Sequence, residues 1–473
     1  MTENEKQLHD AAYQAVVKEG ARVEADPYRQ VYHRMPPVGL LNDPNGWIQW
    51  NGTYHLFFQW NPFAPDHTHK FWGHWTSEDL INWNEEPIAL APSEWFEKNG
   101  CYSGSAMELD GKLALLYTGN VKDENNQREA YQCLALSEDG KTFEKKGPLV
   151  NSQPEGYTAH FRDPKVWEEN GAYYFVIGAQ TESEEGQVLL YRSTDFQEWD
   201  YIGPFAGSHL NGLGAFGYMW ECPDLFKLDG EDVLIVSPQG LEQQGNRFEN
   251  VYQAGYFTGR ADLEAPSFTH GEFRELDEGF EFYAPQTTLD EKGRRLLFGW
   301  MGVPDSDEEH QPTTSAGWIH CMTVPRVLRV ENGAVVQEPA EELEALRAGE
   351  PLEMKVQLAQ GAEAAVTPAS EIVLETNSAS EFSITIRDGL TLTYENGLLT
   401  MSRPSFKDGS IETRSTNIAS IDELRLFLDS SSAEVFVDGG RTVMTARFFP
   451  EPEANIVRIS GEGSVIWRSW ELA

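Results

Sequence analysis

Asn42-Asp43-Pro44 stands about ten residues ahead of Gly52-Thr53-Tyr54-His55-Leu56-Phe57-Phe58, and this pairing returns along the chain at a period of about sixty residues. Tyr102-Ser103-Gly104 precedes Gly111-Lys112-Leu113-Ala114-Leu115-Leu116-Tyr117, and Arg162-Asp163-Pro164 precedes Gly171-Ala172-Tyr173-Tyr174-Phe175-Val176-Ile177. Glu221-Cys222-Pro223 precedes Glu231-Asp232-Val233-Leu234-Ile235-Val236, and Tyr283-Ala284-Pro285 precedes Gly293-Arg294-Arg295-Leu296-Leu297-Phe298. A strand-built repeat of this length, with no long helical pattern inside it, reads as a blade of a β-propeller. A third phrase keeps the same phase: Ser77-Glu78-Asp79 leading to Trp83, Ser137-Glu138-Asp139 leading to Phe143, and Ser193-Thr194-Asp195 leading to Trp199. Ser and Asp there can close a side-chain-to-backbone turn, and the aromatic anchors the returning strand. A tight turn recurring by composition alone has no reason to hold one phase across three different phrases.

Outward from the repeat, residues 5 to about 19 place Leu8, Ala12 and Val16 on one helical face, within an N-terminal extension over 1–30. The five-bladed propeller is expected over 31–336, with Gly317-Trp318-Ile319-His320-Cys321-Met322-Thr323-Val324-Pro325-Arg326 closing the last blade. Strong helix formers from Pro339 to Arg347 suggest a connecting helix within 337–350. From 351 to 473 aromatic density falls and short alternating strands such as Phe382-Ser383-Ile384-Thr385-Ile386 and Ala433-Glu434-Val435-Phe436-Val437 take over. Asp438-Gly439-Gly440 supplies a hairpin turn there, and a C-terminal β-sandwich is the natural reading. The fold class is therefore all-β.

With 473 residues and 40% hydrophobic content the chain can fill two large cores. Cys101, Cys133, Cys222 and Cys321 show no zinc spacing. Met1 to Asp10 are polar and acidic, unlike a secretion signal, and no run of about eighteen apolar residues could span a membrane. A soluble, cytoplasmic protein is expected, in which Asn51-Gly52-Thr53 is a hairpin turn rather than a glycosylation site. The formal net charge of −40 argues against nucleic acid and anionic membranes as partners, since both would be repelled at long range.

Asp43, Asp163 and Glu221 lie at or beside the same point of the repeat. The innermost strand of every blade lines the central channel, so equivalent positions converge there although they are far apart in sequence. Carboxylates crowded together repel, and one of them should then hold a proton near neutrality. A protonated carboxyl beside an ionised one is the requirement of glycoside hydrolysis. Each acid also has a plainer reading. Asn42-Asp43-Pro44-Asn45-Gly46 is a good turn, Arg162-Asp163 could be an ion pair, and only Glu221, after apolar Met219-Trp220, is costly to bury unpaired. Sharing one phase favours the functional reading. Gln59, Trp60, Asn61, Phe71, Trp72, Gly73 and His74 add flat apolar surfaces and amide or imidazole groups suited to a small sugar. Most of these aromatics read as core, and His33, His55 and His160 read as satisfied structural histidines.

Asn42-Asp43-Pro44-Asn45-Gly46, Tyr102-Ser103-Gly104-Ser105-Ala106, Phe161-Arg162-Asp163-Pro164, Glu221-Cys222-Pro223-Asp224 and Phe282-Tyr283-Ala284-Pro285-Gln286 resemble the ordered motif set of glycoside hydrolase family 32. Leu426-Phe427-Leu428-Asp429-Ser430-Ser431 extends the resemblance into the sandwich. The resemblance implies a five-bladed propeller with a β-sandwich, and retaining hydrolysis of β-fructofuranosides without metal or organic cofactor. It implies Asp43 as nucleophile, Glu221 as acid/base and Asp163 as transition-state stabiliser beside Arg162. It further implies Asn42, Gln59, Ser103 and Trp72 as groups around the fructosyl unit. Pro37-Val38-Gly39-Leu40-Leu41-Asn42, Gly156-Tyr157-Thr158-Ala159-His160-Phe161 and Gly217-Tyr218-Met219-Trp220-Glu221 look most like the bacterial sucrose-6-phosphate hydrolase branch, implying sucrose 6-phosphate or sucrose as substrate. Leu40-Leu41 replaces the Trp-Met found in many relatives, and Tyr102 replaces a common Phe. Phosphate binding sits awkwardly with the charge of −40, and His67, His69, Lys70 and Arg128 are the candidate local cations. A fructan hydrolase or fructosyltransferase shares the covalent intermediate and stays open at this level. So do two readings from other classes, a non-catalytic carbohydrate-binding protein and a protein-interaction scaffold.

Overall fold

In a computed structural model, which describes residues 1–376 and 379–473, the repeats form five sheets whose successive strands pair antiparallel. Their innermost strands are Gly39–Trp50, Cys101–Leu109, Tyr157–Glu169, Met219–Leu228 and Tyr283–Leu289. The second strands, Thr53–Asn61, Lys112–Lys122, Ala172–Thr181, Glu231–Gln239 and Arg295–Met301, are buried along most of their length because neighbouring blades cover both faces.

The repeat seen in the sequence is turn chemistry. Trp50 pairs with Thr53, Leu109 with Lys112, Glu169 with Ala172 and Leu228 with Glu231, so the first four of these hairpins have a two-residue loop. The loops are Asn51-Gly52, Asp110-Gly111, Asn170-Gly171 and Asp229-Gly230, with φ of 51 and 79, 51 and 76, 53 and 75, and 49 and 85 degrees. Two successive left-handed residues make the turn whose twist matches paired strands, and Asn/Asp-Gly tolerates it best. The fourth repeat therefore also has its glycine, one position before Glu231. The outer turns are just as uniform. Asp79, Asp139 and Asp195 each accept backbone N–H bonds from the residues two and three ahead, at 2.8 to 3.0 Å. The residue after each Asp (Leu80, Gly140, Phe196) has φ of 67, 73 and 63 degrees. Asp262 makes the same pair of bonds in the fourth blade without the preceding Ser, a copy the sequence phrase did not reveal.

Closure of the ring differs from expectation. Cys321–Met322 pairs within the fifth blade, but Trp318–Ile319 runs parallel to Gly39 and Leu40 of the first. One segment therefore stitches last blade to first. The fifth blade is completed by Arg326–Glu331 and Ala334–Pro339. Gly39 has φ of 75 degrees, and a Cβ there would lie 1.9 Å from the Asn61 carbonyl oxygen, so only glycine lets the first inner strand start at this point.

The N-terminal helix spans Glu3–Glu24, longer than its apolar stripe predicts, and a capping box of Thr2 and Glu5 fixes its start. Ala12 is fully buried against the propeller core, with Leu8 and Val16 beside it. The expected connecting helix is instead a short 3-10 turn, Glu341–Leu346. Leu343 and Leu346 are both buried, and 3-10 geometry is what stacks residues three apart. The chain then turns extended at Arg347–Gln357, which pairs with the C-terminal strand Ser464–Leu472. Two six-stranded sheets make the β-sandwich around a core that includes Trp467, Leu426 and Ile384. Buried charge joins it to the propeller: His33 contacts Asp429 and Glu434 at 2.9 and 3.0 Å, and Arg326 contacts Asp277 and Glu434 at 3.1 and 2.7 Å. Among the described residues no helix is long and apolar enough to cross a membrane.

Candidate active site

All five innermost strands break register with their neighbours at one phase. The breaks fall between Leu41 and Pro44, Cys101 and Gly104, Arg162 and Lys165, Glu221 and Asp224, and Tyr283 and Gln286. Proline, which has no N–H for the ladder, sits inside or at the edge of four of these bulges (Pro44, Pro164, Pro223, Pro285) and Gly104 takes its place in the other. Asp163, Cys222 and Ala284 take φ of 71, 49 and 47 degrees, which re-aims the side chains around them. Two tiers result. Asp43, Ser103, Asp163, Cys222 and Ala284 occupy one, and Asn42, Tyr102, Arg162, Glu221 and Tyr283 occupy the other. Gly178, paired with Arg162, sets their separation: a Cβ there would lie 2.1 Å from the Trp220 carbonyl oxygen, so the third and fourth blades meet only around glycine.

A cavity of about 230 Å³ opens at this phase. Asn42, Asp43, Gln59, Ser103, Arg162, Asp163 and Glu221 all line it. Trp72 does not. It is wholly buried, and its indole N–H donates to the Tyr102 carbonyl at 3.1 Å, so it supports the second blade from behind. This corrects its expected place beside the sugar.

Neighbours within and between the tiers hold one another. Ser103 Oγ donates to Asp43 Oδ2 at 2.5 Å and Asn42 Nδ2 donates to Asp43 Oδ1 at 3.0 Å. The Cys222 N–H donates to Asp163 Oδ2 at 3.0 Å, while the Asp163 N–H donates to Thr118 Oγ1 at 3.1 Å. Glu221 Oε1 accepts from Arg162 Nε and Nη2 at 2.9 and 2.7 Å. Its Oε2 accepts from Gln239 Nε2 and the Tyr283 hydroxyl at 2.9 and 2.7 Å. Gln59 is anchored to the Cys101 carbonyl at 2.8 Å.

One of the three carboxyls, Asp163, is lifted toward the neutral range, chiefly by burial. Burial first, then the charge of Glu221, raise it to about 7 against the pull of Arg162. Burial disfavours the Arg162 charge, but Glu221 and Asp163 outweigh it and push its pKa up. Asp43, Asp163 and Cys222 present ligand-type atoms within 4.8 Å of one another. Burial and the adjacent carboxylates push the Cys222 thiol well up, so it stays protonated and lies 3.5 Å from Asp163 Oδ2 as a donor, not as a thiolate ligand.

Several groups of the cavity wall were not read as such. Tyr283 belongs to the repeated phrase, and its phase, identical to that of Glu221, was the available signal. Gln239 and Trp300 come from second strands and carried no such signal. Lys70, one of the candidate cations, lies in the loop before Phe71 yet is buried, with Nζ 2.5 Å from Asn42 Oδ1 and 2.8 Å from His67 Nδ1. His67 continues to Glu308 at 3.0 Å, and Glu308 to His320 at 2.7 Å. His69 packs edge-on to Phe63 and does not line the cavity. His33 and His55 are buried as expected, but His160 is exposed at the rim, 3.0 Å from Arg162 Nη1.

Comparison with known proteins matches residues 33–339 to the family model described as the glycosyl hydrolases family 32 N-terminal domain, and residues 342–471 to that of the family 32 C-terminal region. The chain is 53% identical to the sucrose-6-phosphate hydrolase of Bacillus subtilis (strain 168), over 98% of each chain. Among solved structures it is similar to the sucrose-6-phosphate hydrolase from Lactobacillus gasseri, with a TM-score of 0.89 and 31% identity over 98% of this chain and 96% of that one. A Bombyx mori family 32 β-fructofuranosidase variant in complex with sucrose superposes with a TM-score of 0.88 at 32% identity, covering 99% of each chain.

Proposed function

This chain belongs to glycoside hydrolase family 32, and on that premise we propose that it cleaves sucrose 6-phosphate, and sucrose less well, in the cytoplasm. Asp43 attacks the anomeric carbon of the fructosyl unit as Glu221 protonates the departing glycosidic oxygen. Glu221 then takes a proton from water, which opens the fructosyl-Asp43 ester and leaves the configuration retained. Asp163 accepts hydroxyls of the fructose ring, and Asn42, Gln59 and Ser103 fix its orientation. The observation that carries this reading is the difference in how the two working acids are held. Asp43 is gripped by Ser103 and Asn42 with no cation bonded to it, as suits a nucleophile. Glu221 is clamped by Arg162, Gln239 and Tyr283, as suits a group that must meet a leaving oxygen and then a water.

The phosphorylated substrate is supported by the 53% identity to a sucrose-6-phosphate hydrolase across nearly the whole chain. A panel of sucrose 6-phosphate, sucrose, raffinose and inulin tests it. The highest kcat/KM is expected for sucrose 6-phosphate, and equal values for it and sucrose would remove the phosphate-specific reading.

A further inference from the structure

A sugar phosphate carries close to two negative charges and approaches a protein of net charge −40, so the site must offer positive charge that the protein does not already neutralise. Four potential cations line the cavity: Lys70, His67, Arg162 and Arg128. Three are engaged. Lys70 is bound to Asn42 and His67, His67 to Glu308, and Arg162 to Glu221. Arg128 differs. Among the described residues neither Lys70 nor Arg128 forms an ion pair, but Lys70 is bonded at 2.5 and 2.8 Å, whereas the contacts of Arg128 are the Tyr102 ring, 5.7 Å from the guanidinium carbon, and His160 Nδ1 at 3.5 Å. A partly buried guanidinium without a carboxylate is costly unless an anion completes it.

Its location selects which end of the substrate it meets. With Glu221 taken as the acid that meets the departing oxygen, Arg162 holds Glu221, and Arg162 Nη1 reaches His160 Nδ1 at 3.0 Å. Arg128 approaches the same Nδ1, so Arg128, His160 and Arg162 lead from the acid to the rim on the leaving-group side. Lys70 lies on the other side, against Asn42 and Asp43. Two guanidiniums on Nδ1 make that nitrogen the acceptor, and desolvation of the ring face packed against them, with their charge, lowers His160 to about 4 although its outer edge is exposed. His160 is then neutral, with its proton on Nε2 and available to a phosphate oxygen.

We propose that Arg128 and His160 form the subsite for the phosphate of the leaving aldose, which makes Arg128 the residue that sets phosphorylated over plain substrate. The proposal rests on the sucrose 6-phosphate reading given above. Arg128 is well placed for a fixed fork. It opens the strand Arg128–Ser137, pairs with Lys122, and follows a turn pinned by Asp123 Oδ1, which accepts the N–H groups of Asn125 and Gln127 at 2.8 and 2.7 Å. A planar guanidinium can meet two phosphate oxygens at once, which an ammonium cannot.

The test is the ratio of kcat/KM for sucrose 6-phosphate to that for sucrose, in the wild type, Arg128→Ala and Arg128→Lys, with a melting curve for each. Arg128→Ala is expected to lower the ratio by about 10- to 100-fold, mainly through KM for the phosphorylated sugar, with Arg128→Lys in between. Inorganic phosphate should compete with sucrose in the wild type and lose that effect in Arg128→Ala. If Arg128→Ala melts early, Arg128→Gln replaces it in the same comparison. A wild type that prefers sucrose 6-phosphate while the variants keep that preference overturns the subsite and leaves the substrate reading standing. A wild type without the preference overturns both.

Discussion

Arg162 directs both Nε and Nη2 at one carboxylate oxygen of Glu221, at 2.9 and 2.7 Å, from the equivalent bulge position of the adjacent blade. The repeat therefore builds the clamp: one phase delivers the acid and the fork that orients it. Arg162→Lys keeps a charge but loses the two-pronged grip. It should cost about 10- to 100-fold in kcat/KM, with the melting temperature nearly unchanged. Full activity in this variant would show that the fork does not position Glu221.

Asp163 links activity to stability. Its folded-state value of about 7 lies above the ordinary 3.8 of the unfolded chain, because burial and Glu221 oppose its charge. Between those values the unfolded chain has released the proton and the folded chain has not, so rising pH favours unfolding. The group's relative contribution is therefore most favourable below 3.8 and is lost as pH climbs through about 7. Asp163→Asn should be more stable than wild type at pH 7, by a few kcal/mol, with the gap closing toward pH 4. Turnover should collapse in the same variant. Denaturant melts at several pH values check this, and a gap independent of pH would remove the explanation.

His33 gives the opposite sign. Burial works against its charge, but the hydrogen bonds to Asp429 and Glu434 prevail and raise it to about 9 from 6.5. The latch between propeller and sandwich is thus fully present below 6.5 and lost as pH rises through about 9. Removing it by His33→Gln should cost about 3 kcal/mol at pH 6, shrinking toward pH 9. Thermal melts of both proteins across that range measure the difference, and a constant gap would contradict the assignment.

Burial lowers Lys70 to about 8 despite the attraction of Asp43 and Glu308. Its positive charge beside Asn42 offsets the crowded acids, so kcat/KM should fall on the alkaline side as Lys70 loses its proton. Lys70→Arg should carry that limb to higher pH, since a guanidinium stays charged. An unmoved limb in the pH profile would exclude Lys70 as its source.

What the sequence discloses and what it hides follow from where the constraint lies. The inner-strand tiers are legible because each position repeats: an Asp or Glu beside a Pro, in phase with others, marks the bulge that turns a side chain to the axis. Tyr283 was equally legible, yet a tyrosine in an aromatic-rich chain does not attract notice. Lys70 and Arg128 were legible only as candidate cations and His160 only as a structural histidine, because a loop residue, a strand end and a residue just ahead of the repeated phrase meet through chain path and not through periodicity. Trp72 looked like a sugar platform by residue type alone, and its buried indole bond to Tyr102 settles its place in the core. The segment around Trp318–Ile319 was legible as a closing element, but its pairing with the first blade was not, since two residues carry no periodicity. The 3-10 turn at Glu341–Leu346 escaped because its helix formers also suit an α-helix, and only the burial of Leu343 and Leu346 decides.

The most direct test of the account is a rapid acid quench of the wild type turning over its substrate, followed by mass spectrometry of the peptide that contains Asp43. The account predicts one fructosyl unit esterified to Asp43, no adduct in Asp43→Asn, and β-fructofuranose as the first-formed product by NMR. An adduct on another residue, or first-formed α-fructofuranose, would contradict it.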